Sequence, residues 1–161
     1  MVPGGTTVKG DGMGKAIGLL IYALLLAAPL SARAAEAARL RIETAHPAVL
    51  SVEIADTPAL RATGLMHRDA LPAGHGMLFD YGRPVMAQMW MKNTRIPLDM
   101  LFIDADGVIR HIHAMARPFD KTVIATPVAV RWVLEIGGGR ADALGVRAGD
   151  RVRLEGVPAK P

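Results

Sequence analysis

Four polar residues, Lys92, Asn93, Thr94 and Asp99, stand among Met89, Trp90, Met91, Ile96, Met100, Leu101, Phe102 and Ile103. A solvated loop does not carry so many large apolar neighbours, and a plain core strand does not carry a lysine, an asparagine and an aspartate. The pattern predicts a polar cluster at the mouth of an apolar core. Two chemistries suit it. Lys92 and Asp99 could form an ion pair that knots two strand ends, since buried charges need partners. Alternatively the cluster could hold a small anion or polar ligand, with Trp90 as a stacking wall. Met66 and Arg68 join the candidate ligand-binding set, which is Met66, Arg68, Trp90, Lys92, Asn93, Thr94 and Asp99.

Other residues suggest rival chemistries. Methionine thioethers bind Cu(I) in exported copper proteins. Here Met66, Met77, Met86, Met89, Met91, Met100 and Met115 are available, with Met89 and Met91 two residues apart. The competing role is core filling, which methionine does well. His111 and His113 also share a strand face, but zinc or copper needs a third ligand there. Asp99 and Glu135 could act as the paired carboxylates of an enzyme on saccharide or cell-wall material. The plain alternative for Glu135 is a solvent-facing charge at a strand end. Asp104 and Asp106-Gly107 start like a calcium loop without its later acidic ligand, and read as a hairpin turn. There is no cysteine, and Ser51, the serine left outside the N-terminal segment, has no glycine-rich elbow. The favoured function is a non-catalytic binding or accessory module, with no catalytic residue, cofactor or metal assigned.

The elements that must position these residues are mostly short strands. Val49–Ala55 alternates, with Leu50, Val52 and Ile54 on one face. Thr57-Pro58 starts a helix over Pro58–Thr63, and Gly64 ends it. Gly76–Phe79 is a short strand and Tyr81–Pro84 a turn. Val85–Met91 is a strand leading into the polar cluster. Leu98–Asp104 and Val108–His113 form a hairpin over Asp106-Gly107. In Val128–Ile136, Val130, Trp132, Leu134 and Ile136 share a face. Arg140–Leu144 is one helical turn, and Arg151–Glu155 a last strand. The expected fold is mainly β: a single small antiparallel sandwich or distorted barrel with one short helix and a helical turn.

The N-terminus carries an address. Lys9 and Lys15 precede the apolar run Ala16–Ala28, Pro29 breaks it, and Ala32-Arg33-Ala34 supplies small residues for a peptidase. This reads as a signal peptide over residues 1–34, cleaved after Ala34 or Ala37, and too short to span a bilayer comfortably. An uncleaved anchor is the alternative. A linker follows at 35–39, then a single domain at 40–155 and a tail at 156–161. Cleavage removes three cations and one anion, lowering the formal net charge from +4 to +2. No basic block with interleaved aromatics points to nucleic acid. The expected protein is exported, periplasmic or secreted, with no stable membrane insertion once cleaved. Its partner is a small polar ligand or a protein.

Four blocks in order carry a family resemblance: Gly64-Leu65-Met66-His67-Arg68 with Leu71; Gly76-Met77-Leu78-Phe79; Met89–Ile103; and Val133-Leu134-Glu135 with Gly139, Leu144-Gly145-Val146 and Gly149-Asp150. From Arg41 to Leu154 the chain resembles the bacterial and archaeal family catalogued as domain of unknown function 192. The resemblance implies a compact, β-rich, often exported domain, and neither an established activity nor catalytic residues. One departure is that Leu60 precedes Arg61 where the family often has an acidic residue. That leaves Arg61 without its expected partner.

Overall fold

The computed structural model describes residues 38–44 and 46–155, and Thr57 opens the longer of the two helices among those residues. The signal segment 1–34, most of the linker and the tail lie outside the described residues. Thr57 is extended, and its hydroxyl accepts the Leu60 N–H at 3.2 Å. Pro58 follows at a position that needs no donor. Gly64, at φ 48°, ends α1 (Pro58–Thr63).

This helix joins β2 (Ala48–Ala55) to β3 (His75–Val85), and the crossover lets them pair in parallel, from Ser51 opposite His75 to Ala55 opposite Phe79. The mainly β expectation holds, but the sheet is mixed and not wholly antiparallel. Its other neighbours are antiparallel. They are β1 (Ala38–Glu43), β5 (Leu98–Ile103), β6 (Ile109–Ala116), β8 (Val130–Gly137) and β9 (Arg151–Glu155). The order is β6-β5-β8-β3-β2-β1-β9. The two-residue strands β4 (Gln88–Met89) and β7 (Ile124–Ala125) form a separate ribbon. A single turn, α2 (Arg140–Ala143), follows β8.

The sheet curls until its edges meet at one corner. Val108 bridges Arg151, and the Val152 N–H donates to the Gly107 carbonyl at 2.7 Å. A side chain at Gly107 would put its Cβ 2.6 Å from the Val152 oxygen, so the closure requires glycine. The result is a half-barrel with two apolar cores. Leu40, Ile42, Val52, Leu101, Ile109 and Leu134 fill the concave side. Met77, Phe79, Met91, Met100, Phe102 and Val133 pack on the opposite face of β3, β5 and β8. All six residues of β5 are buried, because both cores press on it.

Two local expectations differ. β3 continues through Tyr81–Pro84, where a turn is expected. The Asp80 carboxylate accepts the Gly82 N–H at 2.7 Å, and the pairing register shifts between Asp80 and Val85, so the irregularity is absorbed as a bulge. The strand expected over Val85–Met91 shortens to Gln88–Met89. β1 also begins inside the expected linker, at Ala38.

Candidate functional site

Glu135 is an acid in apolar surroundings. It sits on β8 between Met77 of β3 and Met100 of β5, on the outer apolar face. It is 4% exposed, and burial alone shifts its carboxyl, with no hydrogen-bond or ion-pair partner among the described residues. Burial pushes its carboxyl up to about 8, so it is mainly a neutral acid at pH 7.

Above it lies a pocket of about 360 Å³, a size that suits a small ligand. One wall is α1, with Pro58, Arg61 and Ala62, followed by Leu65 and Met66. The opposite wall is Phe79 and Tyr81 of β3 with Gln88, Met89 and Trp90; Thr94 completes the lining. The Tyr81 hydroxyl donates to Met89 Sδ at 3.5 Å. Burial raises the Tyr81 phenol; Arg61 offsets part of this, and Glu135 adds to it. The Arg61 guanidinium lies 5.2 Å from the Tyr81 ring centroid and donates to the Asp80 carbonyl at 2.7 Å. A backbone oxygen thus replaces the acidic partner expected for Arg61. The lining combines apolar walls, a few polar side chains and a buried acid able to give or take a proton.

The candidate set separates into five places. Met66, Trp90 and Thr94 line the pocket. Arg68 is committed to a bidentate pair with Glu53 at 2.5 and 2.8 Å. Lys92 is exposed, its Nζ 5.7 Å from the Trp90 ring centroid. Asn93 shapes the loop. Its φ of 55° is one that asparagine tolerates, and its carbonyl accepts the His67 N–H at 2.9 Å. Thr94 helps fix the same loop by accepting the Phe119 N–H on its carbonyl at 3.1 Å.

Asp99 is elsewhere, on the concave face and 0% exposed. Its Oδ1 accepts the Met115 and Gly139 N–H groups at 2.8 and 3.0 Å, and its Oδ2 accepts that of Ala141 at 2.8 Å. These bonds pin the positive-φ residue Met115 of β6 and the start of α2. The expected Lys92–Asp99 pair does not form, because backbone donors already occupy the carboxylate. Nor do Asp99 and Glu135 converge as an acid–base pair. They occupy adjacent rungs of β5 and β8, with Asp99 opposite Ile136 and Met100 opposite Glu135, and so face opposite sides of the sheet.

The methionines divide as core filling demands. Met77, Met89, Met91 and Met100 are buried in the outer core, whereas Met86 and Met115 are exposed. His111 packs against Phe102, with ring centroids 5.6 Å apart. Among the described residues, no group of three or more histidine and carboxylate side chains could hold a metal. None of the described helices is long and apolar enough to cross a membrane.

Residue-type reasoning missed Arg61, Tyr81, Gln88 and Met89 as pocket residues. Glu135 carried a signal: a lone acid within Val133-Leu134-Glu135-Ile136, in a strand that is otherwise apolar around it.

The family model for domain of unknown function 192, described as an uncharacterised ACR, matches residues 39–154. The chain belongs to this DUF192 family. Every pocket residue falls within the DUF192 match. A Sinorhizobium meliloti 1021 protein, assigned only provisionally as a transcription regulator, is 45% identical in its crystal structure, with a TM-score of 0.72 over 74% of this chain and 95% of that one. A Novosphingobium aromaticivorans DSM 12444 protein of unknown function is 39% identical, with a TM-score of 0.70 over 71% of this chain and 83% of that one. No curated protein matches the chain.

Proposed function

We propose that this DUF192 protein is an exported, non-catalytic binding module whose site is the pocket over Glu135. One observation carries the reading: a buried carboxyl without a protein partner lies at a pocket bounded by Trp90, Tyr81 and Phe79. Desolvating such a group costs stability and returns none through hydrogen bonding. Its place in a pocket suits a group that is completed by an incoming molecule. Export rests on Lys9, Lys15, the apolar run Ala16–Ala28 and the Ala32-Arg33-Ala34 site.

A thermal-shift screen of the purified protein against chemically diverse small molecules tests the binding reading. A ligand that prefers the native state raises the melting temperature. The expected result is at least one class whose shift weakens in Trp90→Ala and in Glu135→Ala. A shift that both variants retain, or no shift with any class, would sink the proposal. N-terminal sequencing of the protein from cell fractions tests export: cleavage after Ala34 or Ala37 supports it, and an intact cytoplasmic N-terminus refutes it.

A further inference from the structure

The chemical class of the ligand can be read from the pocket's polar groups. Arg61 uses one hydrogen bond on Asp80, and no acidic side chain pairs with it among the described residues. Among the described residues no carboxylate engages its remaining N–H groups, while a guanidinium is built to donate to carboxylates. Gln88 and Tyr81 add further donors, the latter directed at a weak thioether acceptor. Around Glu135 the groups on each packed element are Arg61 from α1, Tyr81 and Met77 from β3, Met100 from β5, and Met89 from β4. Arginine is the one formal cation in that list, and none of the others is an anion.

We propose, building on the reading of this pocket as a binding site, that its ligand is a small monocarboxylate with an apolar body. Its oxygens accept hydrogen bonds from Arg61 and from the protonated Glu135, while the body rests against Leu65, Phe79 and Trp90. A carboxylic acid held neutral by an apolar site can donate its O–H to an oxygen anion. An ammonium ligand would need Glu135 ionised and would face Arg61 with like charge. Binding therefore keeps the proton on Glu135. Above about pH 8, affinity falls by about ten-fold per pH unit as the ionised Glu135 meets the ligand's charge. Burial moves the Tyr81 phenol up, away from this window.

Calorimetric titration of the whole protein with matched probes tests this: hexanoate and benzoate, hexylamine and benzylamine, hexanol and benzyl alcohol, each at about pH 6.5 and about pH 9.5. The expected result is carboxylate binding at the lower pH that weakens about ten-fold or more at the higher one. Glu135→Gln should keep binding at both pH values, since an amide N–H donates throughout. Arg61→Met, on the surface helix, should lose about ten-fold or more without loss of fold, checked by circular dichroism. A preference for amines, a pH-independent wild type, or the same alkaline fall in Glu135→Gln would each overturn the inference. If alcohols or amines bind in a Trp90-dependent way and carboxylates do not, this inference fails and the binding reading survives. If no probe of any class binds, the inference fails, and the broader screen decides the fate of the binding reading.

Discussion

Asp99 and Glu135 occupy neighbouring rungs of adjacent strands, and both carboxyls are almost wholly removed from water. They have opposite surroundings. Asp99 meets three backbone N–H groups within 3.0 Å. Glu135 has no such donor. The first carboxylate satisfies orphan amides at a β-bulge and at the start of α2, which is work inside the fold. The second is left facing a pocket. Burial alone therefore does not separate an acid used inside the fold from one left facing a pocket; the count of donors within reach does.

The sharpest way to break this contrast is Asp99→Ala. It strands three N–H groups in an apolar interior, at an expected loss on the order of 3–5 kcal/mol. Urea unfolding would measure it, and a loss below about 1 kcal/mol would remove Asp99 from the structural side. Glu135→Gln should act in the other direction. The folded state holds a proton that the unfolded chain releases near 4.5, so wild-type stability is full below about pH 4.5 and declines toward about pH 8. The decline should reach roughly 4 kcal/mol. Glu135→Gln should flatten it and gain roughly 2–3 kcal/mol at pH 8. A wild-type stability curve that is level between pH 5 and 8 would contradict the assignment. The smallest effect belongs to Lys92→Ala. An exposed cation resting on Trp90 should contribute under about 1 kcal/mol, and a larger loss in thermal melts would return Lys92 to the structural cluster.

Much of the fold was legible because local rules act on neighbouring residues. Thr57-Pro58 and Gly64 delimit α1 in sequence as they do in space, and Asp106-Gly107 marks the β5–β6 hairpin. The alternation of Trp132, Leu134 and Ile136 places one face of β8 on the inner core, whereas Val130, expected on the same face, packs in the outer core beyond the irregularity in the β3–β8 pairing. The parallel pairing of β2 and β3 was not legible, since periodicity reports which face is buried and not which strand lies alongside. The site was half legible for the same reason. Trp90 and Thr94 were found through their unusual apolar company, and Met66 stood beside them in the candidate set. Lys92 and Asp99 were joined on the strength of opposite charge, although alternation sends Asp99 to the far face of the sheet. Asn93 stood out as polar, yet its role is a backbone conformation, which residue type alone signals weakly. Arg61 and Tyr81 enter the pocket through long-range packing that no local window contains.

The pairing of β1 with β9 has a temporal meaning. The first and last strands of the described domain lie side by side, and the corner formed by Val108 and Arg151 needs that last strand too. A chain leaving the ribosome cannot complete either contact until its C-terminal segment has emerged. The half-barrel thus remains an unfinished sheet throughout most of its synthesis. This order of events makes the final described strand the step that closes the sheet.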